Sequence, residues 1–370
     1  MRVVVLLVLA SAIAGGAGCG GFYGQAVRGH MDLMSKREPI DEVLADPATD
    51  AALRRRLELV QEARRFASDS LALPDNDSYT SYVSLDRDYV VWNVFAAPEF
   101  SVEPRQWCFP VAGCVVYRGY FDQARAETYA GKLADDGWDV HVGGAAAYST
   151  LGRFDDPVLS TMMRWDDAQL VAILFHELAH QRLYVKDDSA FNESFATAVE
   201  TLGMERWFGA RDDPAGLAAF EAGRGRSRAF NLLLADTRDR LAALYRSDDD
   251  PGPMRQRKAE EFDAMFERYQ ALRRSWDGFS GYDRWFETPW NNARLVPVST
   301  YGRFVPAFRA LFREQGEDFE AFFDACDELA AAPIDERHAQ LEARLAISPE
   351  APSSPRTEPG LAQGVGDRPR

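Results

Sequence analysis

The chain is short of positive charge, of histidine, of cysteine and of long apolar runs, and each shortage excludes something. Lys and Arg number 42 against 58 Asp and Glu, a formal net charge of -16. A phosphate backbone calls for a basic surface, so nucleic acid is set aside as a partner. The acidic excess serves solubility. Beyond the first residues no stretch reaches about 18 uninterrupted apolar residues, so no internal membrane helix is expected. No internal repeat is visible. What is there suits a globular protein: 46% hydrophobic residues in 370 exclude wholesale disorder and support one large domain or two closely packed ones. No oligomeric state is specified.

The N-terminus has the layout of a secretory signal over residues 1–18. Arg2 supplies the positive start, Val3 to Ala14 form an apolar run too short to span a bilayer, and Gly15-Gly16-Ala17-Gly18 follow. Small residues directly before Cys19 resemble the lipobox of bacterial lipoproteins, with Gly16 where that motif usually carries Leu. Cys19 is then the lipidated residue, a membrane anchor for an exported protein of the cell envelope that faces the periplasm. Gly20 gives no aspartate-type retention cue and favours the outer membrane. Cys108 and Cys114 flank five residues and suit a disulfide in an oxidising compartment; a metal pair there lacks a local Cys or His to complete it. Cys326 suits a buried thiol.

Asp41 to Ala72 has helical composition and ends at Pro74-Asp75-Asn76-Asp77. Strand-like segments follow at Tyr89–Phe95, Cys114–Tyr117 and Trp138–Val142, with a helical stretch from Phe121 to Asp135 between the last two. From Asp166 the pattern is almost wholly helical, and from Ser348 it is rich in Pro, Gly, Ser and charge, the composition of a disordered tail. The expected fold is α+β: a small mixed sheet in an N-terminal part, 19–165, then a mainly helical part, 166–347, and a tail, 348–370.

Histidine scarcity gives weight to His176-Glu177-Leu178-Ala179-His180, which matches H-E-x-x-H. With five histidines in the chain, independent placement yields about 0.005 such matches. Residues four apart on a helix share a face, about 6 Å and 40° apart. Two imidazoles so placed can bind one cation at about 2.0–2.1 Å, and Glu177, about 100° around, can reach an activated water as general base. Asp166 and Gln169 form a capping box, and Leu170, Ile173 and Leu174 an apolar stripe. The third ligand of a catalytic zinc comes from elsewhere; Glu193, opening a helix from Phe191 to Leu202, is the choice, with Asp187, Asp188 and Glu200 as competitors. The two aspartates also suit helix caps, and Glu200 a supporting partner for a ligating histidine or a surface charge.

The pairing of this segment with Asn192-Glu193-Ser194-Phe195-Ala196 resembles the gluzincin clan of metallopeptidases. More narrowly, the chain resembles a family of bacterial lipoproteins described as putative aminopeptidases. The likeness also runs through Val91–Ala97, Trp107–Cys114, Ala147–Gly152, Asn291-Asn292-Ala293 and Ser299-Thr300-Tyr301. It implies a zincin-like helical region, a single Zn2+, a peptide or protein substrate and exopeptidase action at free N-terminal residues. Two departures stand out: only twelve residues separate His180 from Glu193, and Thr197 stands where those enzymes often carry an acid. An oxyanion donor is sought in Tyr301 or the Asn291–Arg294 segment, with Asn292 among its residues, and Asn192 is a supporting candidate beside the ligand. His141 and the segment Gly143 to Tyr148, including Gly144, are candidates for pairing with substrate backbone, where glycines permit close approach. A sheet edge or turn is the plainer role. His30 and His338 suit packing or the surface. The competing functions are an envelope endopeptidase and a non-catalytic lipoprotein that serves as a binding or assembly module.

Overall fold

The computed structural model describes residues 20–109, 113–298 and 302–347. Helices are α1 Gly20–Ser35, α2 Ile40–Ala45, α3 Ala51–Leu71, α4 Gln123–Asp135, α5 Asp167–Arg182, α6 Ser189–Gly209, α7 Pro214–Leu244 and α8 Pro251–Ser275, then α9 Val305–Glu314, α10 Phe319–Ala331 and α11 Ile334–Ile347. Strands are β1 Glu38–Pro39, β2 Ser81–Val83, β3 Val91–Pro98, β4 Trp107–Phe109, β5 Gly113–Val115, β6 Arg118–Tyr120, β7 Trp138–Ala145 and β8 Val158–Leu159. The chain is α+β, as its pattern implies. Two compact units meet in sequence at Arg303 and Phe304. Among the described residues no helix is long and apolar enough to cross a membrane. The signal, Cys19, Tyr301 and the tail lie outside the described residues.

In the first unit, β6, β3 and β7 form an antiparallel sheet in that order. Alternation along β3 sends Trp92, Val94 and Ala96 to one face, where Ala126, Ala130 and Leu133 of α4 cover them. Phe95 faces the other way, against Ala293 and Val296. Each fully buried aliphatic or aromatic side chain contributes about 1.5–3 kcal/mol, so both faces hold the sheet. A second sheet pairs β1 with β2 antiparallel and β2 with β8 parallel. That parallel pairing brings the loop before β2 and the loop before β8 to one place.

Two elements differ from the sequence pattern. The helical stretch from Asp41 to Ala72 is two helices, because Pro47 cannot continue the first; Asp50 restarts the second by accepting from the N–H groups of Ala52 and Leu53. The strand expected at Cys114–Tyr117 is split. Gly113–Val115 pairs with β4 in a hairpin closed by the Cys108–Cys114 disulfide, and Arg118–Tyr120 joins the sheet instead.

The motif helix is enclosed. Every residue of α5 from Leu170 to His180 is buried, not a single stripe, as befits a helix apolar around its circumference. Gly203 lets α6 lie against it: a Cβ there would sit 2.9 Å from Leu71 and 3.0 Å from Phe175. Asp166 starts α5 by accepting from the Gln169 N–H. In the second unit, α9 to α11 bury Phe308, Leu311, Phe322, Phe323 and the Cys326 thiol, and His338 packs on Phe304.

Candidate metal centre

Helical spacing puts the rings of His176 and His180 on one face of α5, centroids 4.8 Å apart and nearly perpendicular. The connection to α6 is short and is held by Asn192. Its side chain accepts from the Val185 N–H at 2.8 Å and donates to the Val185 carbonyl at 2.6 Å. Asp188 caps α6 by accepting from the Phe191 N–H at 3.0 Å, while Asp187 takes the turn at φ 63°. These ties fix the start of α6 and present Glu193. Its two carboxylate oxygens lie 3.7 Å from His176 Nε2 and 3.7 Å from His180 Nε2. One ligand atom from each of the three residues falls within 4.8 Å of the others. Donors about 2.1 Å from a tetrahedral cation stand about 3.4 Å apart, so small adjustments close the set.

Unpaired groups test the fit. His180 Nδ1 and Nε2, Glu193 Oε2 and both Glu177 oxygens are buried without a hydrogen-bond partner. Leaving one such group unsatisfied costs about 1–3 kcal/mol, more if charged. A divalent ion bound by His180 Nε2 and the Glu193 carboxylate would remove much of that cost. Two imidazoles and one carboxylate form a donor set suited to zinc, with a coordination position left for water. The residues fit the ion.

Glu200 completes the support. It is 2% exposed. His176 Nδ1 donates to it at 3.1 Å, and Arg224 on α7 binds its other oxygen at 3.2 Å. The bond to Nδ1 fixes the ring plane and leaves Nε2 as the atom that would face an ion. Glu200 lies three residues after Thr197, nearly one turn on, and so could stand in for the acid that Thr197 does not supply. Glu200→Gln is expected to weaken zinc binding about 10–100-fold, read by competition with a chromogenic chelator. An unchanged affinity would remove Glu200 from this role.

The electrostatics favour a cation. Burial opposes charge on His176, but Glu193 and Glu200 outweigh it and raise its pKa to about 10. Burial dominates at His180, and despite the Glu193 charge, with His176 also against it, the pKa falls to about 4. Glu177 is 1% exposed. Burial, opposed by His176 and Ser149 and reinforced by Glu193, lifts its carboxyl to about 7.

Other candidates lie apart or are engaged. The Tyr148 hydroxyl is bonded to His30 Nδ1 at 2.8 Å. Asn292 donates to the carbonyls of Pro98 and Glu99 and accepts from the Tyr245 hydroxyl. Gly143 and Gly144 lie on β7, which has a single partner strand among the described residues. The Tyr89 ring covers Gly144, where a Cβ would come within 2.2 Å of it, so this glycine serves packing. His141 stacks on Phe95, and burial, then Arg294, lowers its pKa to about 4. The pattern did not single out Arg224 or Tyr184. Tyr184 is 37% exposed, its ring 6.3 Å from that of His180; its place four residues after His180 was the available signal. Arg224 carried none.

An α+β chain with two histidines and a glutamate converging beside a buried carboxylate defines a candidate metal-assisted hydrolase site. The chain belongs to the family described as "Putative aminopeptidase", whose family model matches residues 21–341. That membership supports peptidase function. No curated protein and no solved structure matches the chain.

Proposed function

We propose that this protein is a zinc-dependent metallopeptidase acting as an aminopeptidase, with His176, His180 and Glu193 as ligands of one Zn2+ and Glu177 as general base. The observation that carries the reading is the convergence of those three side chains beside a buried, unpaired Glu177. When bound, zinc supplies Lewis acidity, lowering the pKa of a water and polarising the substrate carbonyl. Glu177 takes the proton of the attacking water and delivers it to the departing amine nitrogen. Glu200 holds His176 in the ligating orientation, and Asn192 holds the connection that presents Glu193. The oxyanion calls for a donor from the chain. Tyr184, whose ring lies 6.3 Å from that of His180, and Tyr301 are the two tyrosines proposed for this role. Export as a lipid-anchored envelope protein, facing the periplasm, is part of the same proposal and rests on the pattern from Arg2 to Cys19.

The test combines metal analysis with digestion of paired peptides that differ only in N-terminal acetylation. One zinc per chain is expected, with stepwise release of N-terminal residues and acetylated peptides cut about 100-fold more slowly or worse. Equal cleavage of both sets would make the protein an endopeptidase. Absence of both zinc and cleavage would leave the non-catalytic binding or assembly module.

A further inference from the structure

Behind the base lies a second buried polar group that the proposed chemistry leaves unused. Tyr79 is 2% exposed, and its hydroxyl has no hydrogen-bond partner. Its backbone takes φ 64°, a left-handed conformation uncommon for a bulky residue. The loop is held there firmly. The buried Arg64 donates to the carbonyls of Ser78 and Asn76, and the Tyr79 N–H donates to the Asp156 carbonyl at 2.6 Å. Asn76 also donates to Gln181 at 2.8 Å. Gln181 lies one turn after Glu177, on the same face of α5.

The loop before β8 closes the other side. Asp156 is 0% exposed and accepts from the Thr150 N–H and hydroxyl at 2.7 and 2.8 Å. Ser149 donates to it at 3.4 Å and accepts from the Leu151 N–H. Ser149 also lies within hydrogen-bonding reach of Tyr79 and of Glu177. Its one proton cannot serve Asp156, Tyr79 and Glu177 together, so the Tyr79 O–H is available as a donor within this group. A buried phenol and a buried carboxylate thus share one serine neighbour, whose single proton cannot satisfy both. Phe would fill the space without burying an unpaired hydroxyl, and strain held in place by such ties points to use.

We propose that Tyr79 is a positioning residue for Glu177: its buried hydroxyl donates to the carboxylate, directly or through one water, and holds the base toward His176 and His180. The inference rests on the reading of Glu177 as the base. Burial and then the Glu177 charge raise the Tyr79 pKa well above its ordinary value, so the phenol keeps its proton and remains a donor.

The experiment is a double-mutant cycle of Tyr79→Phe and Glu177→Gln on the metal-free full chain, read by thermal unfolding, with kinetics of the zinc-loaded single variant Tyr79→Phe. The expected result is a departure from additive Tm shifts of about 2 °C or more. Tyr79→Phe should keep its zinc stoichiometry and lose about 10–100-fold in kcat, with KM changed less than about 2-fold. Additive shifts, or a Tyr79→Phe chain that fails to fold, would overturn the proposal. If the wild-type protein hydrolyses no peptide, the proposed function fails on that measurement, while the cycle still decides whether Tyr79 and Glu177 are coupled.

Discussion

Glu177→Gln is expected to lower peptide hydrolysis by about 10²–10⁴-fold while leaving one zinc bound per chain. The reasoning is geometric. Glu177 contributes no atom to the group formed by His176, His180 and Glu193, and it projects about 100° around α5 from His176. Glutamine keeps the volume and the fold but cannot accept and return a proton. Zinc stoichiometry and turnover should therefore separate. If both fall together, Glu177 is a ligand and the base must be sought elsewhere.

Glu193→Gln acts on the other half of the site and should weaken zinc binding by more than about 100-fold, beyond the range set by a supporting residue such as Glu200. The exchange removes the one carboxylate in the donor set and substitutes a neutral amide oxygen. Charge matters more here than at the surface, because the flanking imidazoles are 5% and 2% exposed and solvent screening is weak. Apparent affinity from chelator competition, compared with Glu200→Gln in the same buffer, is the measurement. Equal affinity in wild type and Glu193→Gln would transfer the third position to Glu200 or to an aspartate. Glu200 is a poor substitute, since its oxygens already engage His176 Nδ1 and Arg224.

How much of this was legible follows from the range of the interactions. The two histidines and Glu177 sit within five consecutive residues, and a spacing rule suffices to find them. Glu193 was readable with competitors, and local geometry separates them: Asp188 is a cap, Asp187 turns the chain, and Glu200 reaches the far side of an imidazole. Tyr79 and Asp156 meet because strands of three and two residues pair in parallel, too short to leave a periodic trace. Arg224 reaches Glu200 from the interior of a 31-residue helix whose sequence marks no single arginine as special. Asn292 and Tyr148 show the converse. A buried polar side chain can satisfy backbone carbonyls or a neighbouring ring as readily as it can serve substrate, and here each is so engaged. In the fold, the split of the 41–72 stretch was marked by Pro47. The transfer of a sheet strand to Arg118–Tyr120 was not, because the hairpin uses the residues that looked most strand-like.

Anomalous diffraction at the zinc edge, from crystals of the zinc-loaded protein, tests the central claim most directly. The account predicts one peak about 2.0–2.2 Å from His176 Nε2, His180 Nε2 and a Glu193 oxygen, with Glu177 outside bonding distance. A peak elsewhere, or one that lacks Glu193 among its ligands, would contradict it.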